Sequence, residues 1–337
     1  MNILITGGAG YIGSHCVRAL LEAGHTVVVY DNLIYGHRGA IESINQHGGY
    51  TCELIVGDLH EKERLVSILQ ENKIEAVMHF AAYAFVGESV ENPAKYYQNN
   101  IVAALSLLDA VKETNINKFV FSSTTATYGE PTTIPIAETE PQQPINPYGF
   151  TKLVFEQALA DYAHSYGLGY AALRYFNAAG ASPDGLIGED HTPETHLIPL
   201  VLQVALGQRE NITIFGQDYP TPDGTCIRDY IHVNDLAAAH IKALQHIRPA
   251  KGLKLNLGTG RGNSVLEIIE AARKVTGHPI PALEGTRREG DPPELVANSQ
   301  LAQKTLDWQP RYTNIEETIA TAWAWHKNHP RGYRQPS

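Results

Sequence analysis

From residue 1 to about 176 the chain alternates two hydrophobic periods. Short β-branched runs at 3–6, 27–30, 53–56, 76–80, 119–122 and 171–175 read as strands. Helical periods lie between them at 12–23, ended by Gly24, at 62–71, at 94–114, and at 148–166, ended by Gly167. Six strands separated by helices predict a doubly wound parallel sheet in an α/β fold. Beyond Asn177 this alternation fails. A Gly/Pro-rich stretch over 181–193 leads into a helix over 197–205 and short strands over 212–215 and 228–232. Further helices are predicted over 234–246 and 265–276, and Ile315, Ile319 and Trp323 mark the apolar face of a C-terminal one. The pattern divides the chain into a unit over 1–176 and a smaller mixed α/β unit over 177–337. Some segments of the second unit are expected to return and pack on the first.

A length of 337 residues suits this plan, and 43% hydrophobic with 18% charged residues is a globular composition. With 26 Lys plus Arg against 36 Asp plus Glu, the formal charge of −10 argues against a nucleic-acid surface. An anionic substrate must therefore be held by a few placed cations. The most apolar stretch, 197–206, is interrupted by Pro199 and Gln203 and is far short of a membrane span. No cationic leader precedes the first strand, so residence in the cytosol is expected. Cys16, Cys52 and Cys226 are odd in number and widely spaced, which fits reduced thiols. The 15 His residues form no HExxH-type pair, and no metal is expected.

Chemistry concentrates at a few places. Gly7, Gly10 and Gly13 follow the first strand and open a helix, where unpaired N–H groups and the helix dipole favour phosphate. Asp31 ends the second strand, placed to accept from adenosine ribose hydroxyls and to favour NAD over NADP. Asp58-Leu59 and Phe80-Ala81-Ala82 fall at the ends of the third and fourth strands, where the cofactor crevice of such a sheet lies. Tyr148 and Lys152 stand one helical turn apart, so an ammonium can favour the phenolate of a proton-transferring tyrosine. Upstream, Ser122-Ser123-Thr124 ends a strand in three hydroxyls that can donate to a substrate oxygen.

These residues resemble the extended short-chain dehydrogenase/reductases, and within them the nucleotide-sugar 4-epimerase branch. The resemblance runs from Met1 to about His329. It is carried further by Val86-Gly87-Glu88-Ser89, Tyr175-Phe176-Asn177, Tyr219-Pro220-Thr221 with Asp223-Gly224-Thr225, Arg228-Asp229-Tyr230-Ile231-His232-Val233 and Arg287-Arg288-Glu289-Gly290-Asp291. It implies a Rossmann-type domain with a UDP-sugar-binding companion, and C4 epimerisation of UDP-glucose and UDP-galactose through a transient 4-keto sugar. Tyr148, Lys152 and Thr124 are then the expected catalytic residues. NAD contacts are expected from Gly7, Gly10, Tyr11, Ile12, Gly13, Asp31, Asn32, Asp58, Leu59, Phe80, Ala81, Ala82, Asn99, Ser122, Tyr148, Lys152 and Tyr175. Substrate contacts are expected from Thr124, Tyr148, Asn177, Leu197, Thr213, Phe215, Arg228, Arg288, Asp291 and Leu295, and a homodimer from the helices at 94–114 and 148–166. Three positions depart from familiar relatives. Thr124 stands where Ser is usual, Ala84 where some carry Lys, and His196 where some carry Asn. Rival substrates are N-acetylhexosamine, pentose or uronic acid UDP-sugars, and a rival of another class is a non-catalytic NAD-binding regulator.

Overall fold

The computed structural model describes residues 1–47, 49–288 and 291–333. Its strands are β1 (Asn2–Thr6), β2 (Thr26–Asp31), β3 (Glu53–Val56), β4 (Ala76–His79), β5 (Lys118–Thr124), β6 (Gly169–Tyr175), β7 (Asn177–Ala179), β8 (Ile212–Phe215), β9 (Ile227–His232), β10 (Gly252–Leu257), β11 (Gly262–Ser264), β12 (Ala282–Gly285) and β13 (Glu294–Leu295). The α-helices are α1 (Tyr11–Glu22), α2 (Arg38–His47), α3 (Lys62–Glu71), α4 (Val86–Glu91), α5 (Pro93–Tyr97), α6 (Ala104–Glu113), α7 (Pro147–Tyr166), α8 (Leu197–Ala205), α9 (Val233–His246), α10 (Val265–Thr276), α11 (Gln300–Leu306) and α12 (Ile315–Asn328).

Seven strands form one parallel sheet in the order β10-β6-β5-β4-β1-β2-β3. Strand order reverses between β1 and β4, and there the carboxyl ends leave a crevice. Successive residues serve opposite faces. Ile3, Ile5, Val27, Val29, Met78 and Val120 pack with Val17 and Leu20 of α1 and Leu236 and Leu244 of α9. Leu4, Val28, Val77, Phe119 and Phe121 pack with Leu65 of α3, Leu107 and Leu108 of α6 and Phe155 and Leu159 of α7. Each fully buried Leu, Ile or Phe contributes about 2 kcal/mol, so these two faces hold the layers together. The strands are hydrophobic runs because both sides are covered.

The second half supplies β10 and α9 to this sheet, then builds a smaller layer. There β9 pairs in parallel with β7 and β13 and antiparallel with β11, while β8 pairs with β12. Val201, Leu202, Ile268, Ile269, Ile319 and Ala322 form its core between α8, α10 and α12.

One helix expected over 94–114 is instead α5, a π-helical segment Gln98–Ala103, and α6. In that widened turn the Asn100 amide ties down the Tyr83 backbone, accepting from its N–H and donating to its C=O at 2.9 Å each.

Candidate functional site

The crevice at the reversal point is a cavity of about 1150 Å³ running from the Gly7 loop to Arg288 and Leu295. That exceeds a drug-sized pocket, and it leaves room for a dinucleotide and a second ligand together. Gly7 has φ +72, and a Cβ there would overlap the Ala81 backbone. A Cβ at Gly13 would overlap the Gly7 carbonyl oxygen. Glycine is thus required where the loop folds against itself below the N-terminus of α1. Gly10 caps that helix without a side chain, so its first-turn N–H groups face the cavity free to bind phosphate.

Asp31 closes β2, its Oδ2 accepting from the Ala9 N–H at 3.0 Å and its Oδ1 from the Leu33 N–H at 2.9 Å. Burial raises its pKa while those two N–H groups oppose the rise. Asp58 Oδ2 accepts from the Asn32 amide at 3.1 Å, joining the ends of β2 and β3. These carboxylates and the uncapped helix end fit a dinucleotide with its ribose at the β2 edge. All the residues expected to contact NAD line this one cavity: the Gly7, Gly10 and Gly13 loop with Tyr11 and Ile12, Asn32, Leu59, Phe80, Ala81, Ala82, Asn99, Ser122 and Tyr175 among them.

The opposite wall is catalytic in character. Asn146 caps α7 by accepting from the Gly149 N–H at 2.8 Å, with Pro147 at the first helical position. That start aims Tyr148 and Lys152 at the end of β5. Lys152 Nζ donates to the Ser122 carbonyl at 2.7 Å and lies 6.0 Å from the Tyr148 ring centroid. The Ser122 and Tyr175 hydroxyls are hydrogen-bonded to each other. Burial lowers the Lys152 pKa to about 7, with Glu156 opposing.

Burial also raises the Tyr148 pKa, and the Thr124 hydroxyl is the group that opposes it. The help to the phenolate expected from Lys152 is tied to a nicotinamide cation beside it; in the protein without that cation burial dominates, and the ammonium is committed to the Ser122 carbonyl.

Behind this wall, Glu156 accepts from Arg174 Nε at 2.9 Å, from Arg174 Nη2 at 2.5 Å and from Ser123 Oγ at 2.5 Å. Nothing in the sequence pattern flagged Glu156, which is buried on α7 beside Phe155 and Leu159.

The expected substrate residues divide. Thr124, Tyr148, Asn177, Arg288, Asp291 and Leu295 line the cavity, whereas Leu197, Thr213, Phe215 and Arg228 are not among its lining residues. Leu197 is spent on the apolar core where α8 begins. Arg228 is ion-paired with Asp291, which does line the cavity, and donates to the Ile227 carbonyl at 2.8 Å. Thr213 and Phe215 lie along β8, and Phe215 meets the site through Arg288, whose guanidinium sits 4.2 Å from its ring centroid. Glu289 and Gly290 of the motif after Arg288 lie outside the described residues.

Sequence reading missed Tyr35, Tyr83, Phe85, Glu189 and His191, all lining the cavity, because they come from loops without periodic pattern. Glu189, His191, Glu194 and His196 also converge as a group of ligand-type atoms. Burial works against charged imidazoles there, but the two glutamates prevail and raise His191 to about 9 and His196 to about 10.

A glycine cradle at the sheet's reversal point, facing a Tyr/Lys pair and a strand-end hydroxyl, defines an NAD-using enzyme of the short-chain dehydrogenase/reductase class. The chain belongs to the NAD dependent epimerase/dehydratase family, whose model matches residues 3–258. It is 54% identical over 334 residues to a UDP-glucose 4-epimerase of Halalkalibacterium halodurans, covering 99% of this chain and 98% of that one. The fold is similar to that of the Brucella ovis UDP-glucose 4-epimerase in complex with NAD, with TM-score 0.90, 49% identity, and 96% and 97% of the two chains covered. It is also similar to the Stenotrophomonas maltophila UDP-glucose-4-epimerase with bound NAD and formylated UDP-arabinopyranose, with TM-score 0.95, 42% identity, and 98% and 99% covered.

Proposed function

We infer that this protein interconverts UDP-glucose and UDP-galactose by NAD-dependent epimerisation at C4. The observation that carries this reading is the convergence of Thr124, Tyr148 and Lys152 on the same cavity as the glycine cradle. Bound NAD supplies a hydride acceptor and donor for C4 and, when oxidised, a positive charge that favours phenolate. Tyr148 removes the proton from the 4-hydroxyl and returns it once the 4-keto sugar has presented its other face. Thr124 donates to the same oxygen, with its extra methyl leaving that role intact. Lys152 holds its ammonium against the Ser122 carbonyl and stands ready for the cofactor ribose. The pyrophosphate of the UDP-sugar meets the Arg288 guanidinium, the cavity's forked cation at the Leu295 end. Arg228 supports it indirectly by fixing Asp291.

A cytosolic homodimer completes the proposal. All three cysteines are buried and free, as suits a reducing compartment, and no described helix is long and apolar enough to cross a membrane. Tyr97 and Phe150 are 37% and 45% exposed with ring centroids 6.4 Å apart, an apolar patch on the face expected to pair. Sedimentation of the purified protein as a monomer at micromolar concentration would remove the dimer.

The functional reading is tested by incubating the NAD-loaded protein with UDP-galactose and no added reductant. Catalytic conversion to UDP-glucose is expected. Retention of NAD without conversion would identify a regulator on the same fold.

A further inference from the structure

The loop leading into α8 carries four side chains that the epimerisation chemistry does not use. One donor atom each from Glu189, His191, Glu194 and His196 lies within 4.8 Å of all the others. His196 Nδ1 is 2.8 Å from Glu194 Oε1 and 3.0 Å from Glu189 Oε1. His191 Nδ1 is 3.2 Å from Glu189 Oε1 and 3.7 Å from Glu194 Oε2. These separations bracket the roughly 3.4 Å edge of a tetrahedron with bonds of about 2.1 Å.

Charge and hydrogen bonding both bear on what fills the centre. The Glu189 and Glu194 side chains are only 5% and 6% exposed, so two negative charges sit in the cavity wall. Buried carboxylates require compensation, either from protons on both imidazoles or from one divalent cation between neutral ones. His196 Nδ1 already pairs with Glu194 Oε1 at 2.8 Å, so an ion there would take the place of a proton. His191 Nδ1, by contrast, is buried without a hydrogen-bond partner although two carboxylates are near. The ring is held edge-on by Tyr11 and Phe85, with centroids 6.3 and 6.1 Å away. Glu194 is oriented as well, its Oε1 accepting from the Thr195 N–H at 2.7 Å and the His196 N–H at 2.8 Å. Such outer contacts are what fix metal ligands in place.

We propose that Glu189, His191, Glu194 and His196 bind one divalent transition-metal ion of the zinc type, tying the 189–196 loop into the cavity wall. Two imidazoles with two carboxylates and no thiolate suit zinc or cobalt, and four protein ligands make the site structural. The ligand spacing of two, three and two residues lies on an irregular loop, so no helical or zinc-finger pattern announces it in the sequence.

The test uses NAD-loaded protein, stripped with a chelator, dialysed, and titrated with Zn²⁺ alone and with Co²⁺ alone. One ion per chain, the visible bands of four-coordinate cobalt, and a rise in thermal midpoint on adding Zn²⁺ are expected. His191→Ala and Glu194→Gln should each weaken Zn²⁺ binding about tenfold or more and erase the cobalt bands. The metal-free midpoint of each variant, measured in parallel, verifies folding. Absence of saturable Zn²⁺ binding would show that protons alone occupy the cluster. Binding undiminished in both variants would place the ion elsewhere, and either result overturns the proposal.

Discussion

Glu156→Gln removes the negative centre of the buried network behind the catalytic wall. Glu156 is fully buried, Arg174 is 2% exposed, and the pair is bidentate with Ser123 as a third donor. An amide can accept from one guanidinium nitrogen, but its own N–H groups then face the other, leaving a buried charge unpaired. Breaking such a pair from one side costs about 3–5 kcal/mol. For this 337-residue chain, an unfolding entropy of about 2.1 cal/mol/K per residue converts that to a fall of about 4–7 °C in the thermal midpoint. A second effect reaches the site. Glu156 opposes the burial that lowers Lys152 to about 7, so its loss lowers that pKa further. The ammonium is then lost at lower pH, and the alkaline limb of kcat/KM moves down with it. Scanning calorimetry and a pH–rate profile on NAD-loaded protein read both effects. Glu156→Leu combined with Arg174→Met should recover most of the lost stability, because a buried pair is replaceable by apolar groups of similar size. A midpoint within about 1 °C of wild type in the single variant would refute the reasoning. So would a double variant as unstable as the single.

Tyr148→Phe should keep its NAD and lose roughly 10² to 10⁴ in turnover, while Lys152→Ala should also release NAD more readily; wild-type rates in the first contradict the assignment. Leu295 lines the cavity and packs against the cluster of Tyr128, Ile136 and Phe176, so its size limits room there. Leu295→Ala should raise the kcat/KM ratio of UDP-N-acetylglucosamine to UDP-glucose about tenfold, and Leu295→Tyr should lower it; equal shifts for both substrates would make Leu295 a packing residue. Burial lowers His15 and His240 to about 4 and His79 and His232 to about 3. The unfolded chain takes up these protons near pH 6.5 and the folded one does not, so stability falls as pH drops from about 6.5 toward 4. Each histidine contributes up to about 1.4 kcal/mol per pH unit, and denaturant midpoints that stay flat from about pH 6.5 to 5 would contradict it.

Much of the architecture was legible because its physics is local. Ile3, Val27, Val77 and Phe119 are covered on both sides, so their strands stand out as apolar runs between polar loops. Gly24 and Gly167 stop helices where a left-handed residue is needed, with φ +79 and +77. Harder to read was β10, whose Gly-Leu-Lys-Leu-Asn-Leu has no β-branched residue and whose Asn256 is buried to accept from the Tyr128 hydroxyl at 2.7 Å. The π-helical segment places Asn100 against the Tyr83 backbone, a non-local bond that no periodicity encodes. For the site, the glycine loop, Asp31 and the Tyr148/Lys152 turn were legible because spacing and flanking elements carry the chemistry. Thr213, Phe215 and Arg228 could be assigned to strands, but their distance from the cavity depends on how the second layer docks. Glu156, Glu189, His191 and Glu194 were invisible for the same reason: their partners lie far away in sequence or converge through irregular backbone.

The central claim is that the hydrogen removed from C4 is held within the site and returned to the same carbon. Turnover of UDP-galactose in heavy water, followed by NMR of the UDP-glucose formed, tests this most directly. No deuterium at C4 and no net consumption of NAD are expected. Solvent deuterium at C4 would require abstraction as a proton and would contradict the redox role assigned to this cavity.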